Sequence, residues 1–164
     1  MKRALALCAF AVAFAAPAGA QPATGMAAMQ YYVGTWSCTG GPVGPPSQKA
    51  TVTYNLDAGV MRQWVDVPPQ GKMKTPFAVS SATTYDAKKG RYVSAALDTS
   101  SAWGVSVAKP WTSSTERWTD IATNDGKLGH GILVRTDEND FTYTGYPTMT
   151  GTKPNFKVAC KKSP

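Results

Sequence analysis

The sequence predicts an all-β protein: an antiparallel up-and-down barrel of about ten strands, with a short helical lead-in and one disulfide. Three observations lead there. From residue 33 onward the chain is rich in Val, Thr, Tyr, Trp and Ser, residue types that fit a pleated sheet, and it shows no helical periodicity. Turn clusters recur at short intervals, as in Asp57-Ala58-Gly59, Asp86-Ala87-Lys88-Lys89-Gly90 and Asn124-Asp125-Gly126-Lys127. Two cysteines, Cys38 and Cys160, stand near the two ends of the β-rich region.

The N-terminus carries an export pattern. Lys2 and Arg3 precede an uncharged apolar run over 4–16, Pro17 breaks it, and Ala18-Gly19-Ala20 offers the small residues that a signal peptidase reads. The run is about 13 residues, short of the roughly 20 needed to span a bilayer. Leu7 precedes Cys8 where a lipoprotein signal needs a small residue. The expectation is a signal peptide over 1–20 and a single domain over 21–164, exported to the periplasm or beyond and not membrane-spanning.

The elements follow in order. Residues 23–32 read as a lead-in helix or ordered turn. Strands are expected over 35–39, 49–56, 60–67, 77–85, 91–97, 103–108, 116–121, 129–135, 140–145 and 155–161. The second is the cleanest: Ala50, Val52, Tyr54 and Leu56 alternate with Lys49, Thr51, Thr53 and Asn55, which marks one buried face. Gly90 supplies the positive φ that its hairpin turn needs. A meander of this kind must protect its edges; closure into a barrel does so, and a two-sheet sandwich is the alternative.

Loss of Lys2 and Arg3 lowers the net charge from +7 to +5, and the remaining basic residues are scattered. Lys88-Lys89 and Lys161-Lys162 are too short for nucleic-acid arms, so no nucleic-acid partner is expected. In an oxidising compartment Cys38 and Cys160 read as a disulfide. It would close a loop of about 120 residues, for which chain entropy gives about 5 kcal/mol as an upper figure. Trp36 and Cys38 share one strand face, and Phe156, Val158 and Cys160 share another, so both sulfurs belong on apolar faces that point inward or meet at the seam.

Gly34-Thr35-Trp36 at the head of the first strand resembles the calycin superfamily, the lipocalins and their relatives. That resemblance implies that Trp36 plugs one end of the barrel, covered by a basic side chain from the last strand; Lys157 or Lys161 would stand in for the usual arginine. Together with Tyr85-Asp86-Ala87-Lys88-Lys89-Gly90-Arg91-Tyr92-Val93, it is similar to a group of bacterial calycin-like exported domains of unknown function, across most of the mature chain. The resemblance implies a barrel with room for an apolar ligand and brings no established reaction.

Candidate site residues are few. His130, the single histidine, shares a strand face with Ile132 and Val134. Some calycin-like barrels hold haem through a histidine, but theirs lies nearer the C-terminus, so His130 reads more simply as a structural or exposed side chain and the cofactor stays unknown. One histidine and no spare cysteine argue against a metal site. Serines abound without a Gly-x-Ser-x-Gly, and Glu116 and Asp120 on one strand would lie roughly 13 Å apart, too far for a glycosidase pair. No catalytic residue is assigned, and both carboxylates are expected to face solvent. Arg62, Trp64 and Asp66 share a face that either enters the barrel as a polar anchor or points outward. Trp103 and the other aromatics are core or pocket lining. The loops over 39–47 and 68–76 are longer than hairpins require; if they flank one mouth, Lys72 and Lys74 ring it with positive charge around Met73.

These readings converge on a non-catalytic exported barrel that binds a small hydrophobic or amphipathic molecule, an anionic one included. The expected ligand contacts are Arg62, Trp64, Lys72, Lys74, Trp103 and His130. The alternative is a periplasmic protein-interaction module such as a cell-wall hydrolase inhibitor, and an enzyme is disfavoured for want of an acid–base pair. The oligomeric state is open.

Overall fold

A computed structural model of the protein describes residues 25–111 and 113–164. The expected signal segment 1–20 and its cleavage site lie outside the described residues. A 3-10 helix, Gly25–Tyr32, leads into ten strands: β1 Gly34–Pro42, β2 Gln48–Asp57, β3 Val60–Val67, β4 Phe77–Asp86, β5 Arg91–Asp98, β6 Trp103–Ala108, β7 Thr115–Thr123, β8 His130–Arg135, β9 Asp140–Tyr146 and β10 Phe156–Lys162. Each strand pairs antiparallel with its sequence neighbours, and β1 pairs with β10, so the sheet is a closed barrel and not a sandwich.

Closure is pinned at the seam. Cys38 and Cys160 stand directly opposite in the β1–β10 register with Cα atoms 4.0 Å apart, and their sulfurs are bonded. The sequence alternation translates into an inner and an outer face, as strand geometry requires. In β2, Ala50, Val52 and Tyr54 point in. In β3, Met61, Gln63, Val65 and Val67 point in, which turns Arg62, Trp64 and Asp66 outward. At the β2–β3 hairpin Ala58 and Gly59 both take positive φ, 46° and 78°. Such a turn matches the twist of the paired strands but strains the alanine. A bulge between Val105 and Ser106 shifts the β6–β7 register and leaves Ile121 exposed.

The two ends differ. The 3-10 helix caps the end where β1 begins, burying Met29 and Tyr32 against Trp36, which has no exposed surface. Three aromatic tips there find partners, whereas Arg91 Nε and Arg135 Nε are buried without one. The Trp36 indole N–H donates to the Tyr32 carbonyl at 2.8 Å, and the Tyr92 hydroxyl donates to the Gly25 carbonyl at 2.9 Å. The Tyr31 hydroxyl lies 2.9 and 3.0 Å from the Asp137 and Asp140 carbonyls. Two cations cover the aromatic layer. The Arg135 guanidinium sits 3.3 Å over the Trp111 ring, and Lys162 Nζ sits 5.4 Å over the Trp36 ring. The basic cover of Trp36 is thus Lys162 and not Lys157 or Lys161: β10 alternates, and Lys162 shares the inner face with Cys160.

At the opposite end lie the loops 43–47, 68–76, 99–102, 124–129 and 147–155, which join strands at the rim. Both of the long loops singled out from the sequence reach this rim. The Gln70 side chain clamps its loop to β2, accepting from the Lys49 N–H and donating to the Lys49 carbonyl, each at 2.7 Å. The Val43 N–H donates to the Asn155 carbonyl at 2.8 Å and joins two further loops.

Candidate functional site: an interior cavity with a buried glutamate

The barrel interior is hollow beneath the capped end. A cavity of about 660 Å³ runs from Glu116 and Trp118 near the cap to Pro42, Met73 and Phe156 at the rim. That volume lies within the range of small-molecule sites, about 300–1,000 Å³. Its walls are unlike each other. Strands β8 to β10 and β1 to β3 present mainly apolar groups, among them Leu133, Phe141, Val158, Val52 and Val65. Strands β4 to β7 carry short polar side chains in cross-strand register. The Thr83 hydroxyl donates to the Ser94 hydroxyl at 2.9 Å, Ser94 faces Ser106, and Ser106 donates to Asp120 Oδ1 at 2.7 Å. Asp120 Oδ2 in turn accepts from the Gly129 N–H at 3.0 Å. A second polar group crosses β2 to β4: Gln63 donates to the Tyr54 hydroxyl and accepts from Ser81, each at 2.9 Å.

Tyr143 reaches into this space because Gly131 is bare. A Cβ on Gly131 would overlap the Tyr143 ring, so a glycine on the inner face of β8 is what lets the ring lie flat on the wall.

Glu116 is the outlying group. It projects inward from β7, is 1 % exposed, and belongs to the cavity wall. Its Oε2 accepts the Trp118 indole N–H at 3.0 Å and the Tyr32 hydroxyl at 3.4 Å. Its Oε1 is shielded from solvent and has no hydrogen-bond partner. Burial raises the carboxyl to about 7 against the pull of the two donors and of Arg135. The same burial drives the Tyr32 and Tyr54 hydroxyls well up, so both stay neutral. The expectation that Glu116 and Asp120 face solvent is therefore overturned. They share the inner face with Trp118; Asp120 is half-buried with both oxygens bonded, and only for Glu116 do the hydrogen bonds leave part of the cost of burial uncompensated.

Of the residues expected to touch a ligand, Arg62, Trp64, Trp103 and His130 lie on the outer face, and Lys72 and Lys74 stand at the rim. Arg62 and Trp64 stand on the outer face of β3, with Trp64 51 % exposed. Trp103 opens β6 on the outer face, 46 % exposed. Trp64, Leu97 and Trp103 lie in one cross-strand rank through Ser80 and form an exposed apolar row. Lys72 and Lys74 flank Met73 on the rim; Met73 lines the cavity and the two lysines are exposed beside it. His130 is buried on the outer layer of β8, stacked on Tyr146 with ring centroids 4.4 Å apart, and its Nδ1 lies 2.9 Å from the Thr148 carbonyl oxygen. A haem inside the barrel needs an axial ligand on the inner face, and His130 does not offer one.

Among the described residues no three metal-ligating side chains cluster, and no helix is long and apolar enough to cross a membrane. No protein-family model matches the chain, and no curated protein matches it. Among solved structures it is similar to a redesigned beta barrel at 10 % identity with a TM-score of 0.44, covering 82 % of this chain and 94 % of that one.

Proposed function

We propose that this protein is an exported, calycin-like binding barrel that encloses a small amphipathic molecule and performs no chemistry on it. The observation that carries the reading is the interior cavity of about 660 Å³, capped at one end and lined by an apolar wall facing a hydroxyl-bearing one. Burying the apolar body of a ligand there contributes about 25 cal/mol per Å² removed from water, and the polar wall orients the ligand. The lysines at the rim favour ligands or surfaces of negative charge near the entrance. Export is supported by the N-terminal pattern and by the Cys38–Cys160 bond, which persists in oxidising compartments; on this reading the mature chain starts at Gln21.

Native mass spectrometry of the protein purified from the exported fraction tests both parts. The expected result is a mass beginning at Gln21 with a co-purified small molecule, or uptake of one on exposure to a lipid extract. A mature barrel that takes up nothing from any extract contradicts it.

A second reading, a protein-interaction module, is favoured by the exposed row Trp64, Leu97 and Trp103. It predicts that Trp64→Ala and Trp103→Ala abolish capture of a partner from the same compartment while leaving small-molecule uptake intact.

A further inference from the structure

We propose that the rim of this barrel is a docking face for an anionic lipid surface, so that the ligand passes between membrane and cavity without crossing open water; the inference deepens the binding reading above by naming where its ligand comes from. Single exposed apolar side chains are ordinary on a globular protein, and it is their placement here that calls for an explanation. Among the described residues every large hydrophobic that stays exposed lies in the rim half of the molecule. Val43, Leu128 and Met149 stand on rim loops. Trp103 and Phe156 are the first residues of β6 and β10, and Trp64, Leu97 and Ile121 lie in the rimward halves of β3, β5 and β7. The capped end, with its interlocked aromatic layer, exposes none.

Charge follows the same division. The five rim loops carry four lysines, Lys72, Lys74, Lys127 and Lys153, and one carboxylate, Asp125. Asp125 is engaged within its own turn: it pairs with Lys127 at 3.3 Å and accepts from the Lys127 N–H at 3.0 Å and the Thr123 hydroxyl at 3.1 Å. Lys72, Lys74 and Lys153 are exposed and make no ion pair among the described residues. At the capped end, by contrast, Asp57, Asp86, Asp137, Glu138 and Asp140 intermingle with the cations. A negative surface therefore attracts this barrel rim first.

The residue types favour lipid over a protein partner. Protein interfaces are enriched in aromatic residues and arginine and depleted in lysine. The rim loops hold lysine and no arginine, and their exposed apolar groups, Val43, Leu128 and Met149, stand singly on three separate loops. Apolar side chains spread around a mouth with lysines between them suit shallow insertion among headgroups, where the ammonium groups meet phosphates. Met73, between Lys72 and Lys74, lines the cavity, so the docking face and the entrance coincide.

Co-sedimentation with vesicles tests the proposal. The wild-type protein is expected to bind vesicles of phosphatidylcholine and phosphatidylglycerol in equal parts at about 0.1 M salt, and to lose at least about tenfold in affinity on phosphatidylcholine alone or at about 1 M salt, where charge reaches only about 3 Å. Each lysine beside an anionic surface contributes about fivefold, so Lys72→Glu/Lys74→Glu is expected to lose roughly 25-fold or more. Lys88→Glu/Lys89→Glu makes the same change in net charge at the capped end and is expected to lose less than about threefold. Val43→Asp/Leu128→Asp, with every lysine kept, is expected to lose at least about tenfold. Coincident urea unfolding of wild type and variants shows that the losses are not losses of fold. Three results overturn the proposal: no binding of the wild type to the anionic vesicles; equal losses from the rim and capped-end reversals, which reduce the effect to net charge; or vesicle binding that survives both rim variants, which leaves the rim loops to a protein partner. The binding reading fails separately, since uptake of N-phenyl-1-naphthylamine by the wild type in vesicle-free solution reports on the cavity whether or not the rim docks.

Discussion

The two ends of this barrel have the same strands and opposite contents. At the capped end Trp36, Tyr32, Tyr92 and Phe141 interlock, each indole or hydroxyl tip that matters has a partner, and Arg135 and Lys162 close the layer from outside. Below the cap many inner-face residues are short, Ala50, Val79, Ala96, Ser94 and Ser106 among them, and do not meet across the barrel, while Met73, Phe77 and Phe156 line the mouth. Packing a wide barrel solid takes large side chains from every strand; here the interlocked ones are concentrated at the capped end. The difference teaches that stability and capacity are separated along the barrel axis, so a binding space exists without weakening the part that holds the fold.

The sharpest way to break that comparison is to truncate one residue from each end. Trp36→Ala is expected to cost about 3–5 kcal/mol in urea unfolding, the range for a large aromatic lost from a filled core. Val79→Ala, which lines the cavity, is expected to cost about 1 kcal/mol, because its methyl groups already border empty space. Equal costs would mean that the interior is filled along its whole length.

Next in size is the seam. Replacing both cysteines by alanine is expected to lower unfolding stability by about 2–5 kcal/mol, since the bond closes a loop with a sequence separation of 122. Reduction of the wild-type protein should reproduce the loss.

Glu116 places a third, pH-dependent cost between the ends. Its folded value of about 7 lies above its ordinary 4.5, so the native state holds the extra proton between these values. Stability from this group is therefore fully present below pH 4.5 and is lost as pH rises through 7, by about 3 kcal/mol at most. Glu116→Gln does not titrate. Its stability relative to wild type is expected to rise steadily from pH 4.5 to pH 8, as read by thermal unfolding at matched ionic strength. A gap independent of pH contradicts the buried, unpaired carboxyl.

The smallest effect is local and belongs to neither interior. Ala58→Asn is expected to stabilise the β2–β3 hairpin by about 1 kcal/mol, because asparagine tolerates the positive φ that alanine resists. Unfolding curves of the two proteins measure it.

Much of the architecture was legible in residue order. Alternation in β2 and β3 and the turns at Gly59 and Gly90 placed the strands to within two residues in most cases, because half-buried strands must alternate whether or not the barrel is hollow. The Cys38–Cys160 bond was legible as an isolated cysteine pair near the two ends of the β-rich region. The site was less legible, for two reasons. Which face of a polar–apolar strand points inward depends on its neighbours: the face of Arg62, Trp64 and Asp66, read as either a polar anchor or a surface face, is outward because Met61, Val65 and Val67 take the interior. Glu116 was misplaced for the opposite reason, since two carboxylates on one face read as solvated. The signal that pointed the other way was Trp118 between them, which needed a buried face and an acceptor for its indole N–H. That the interior is empty is not a property of any single strand; it follows from the coincidence of Ala50, Ala96, Ser94 and Ser106 across several of them.

The measurement that bears most directly on the hollow, ligand-binding interior is a fluorescence titration with N-phenyl-1-naphthylamine. It compares the wild-type protein with the double variant Ala50→Phe/Ala96→Phe, which places two rings inside the cavity near its entrance. Saturable one-to-one binding to the wild type, weakened at least tenfold in a variant that unfolds at the same or higher denaturant concentration, is the expected result. No binding to the wild type, or equal binding to both, contradicts a cavity that works as a binding site.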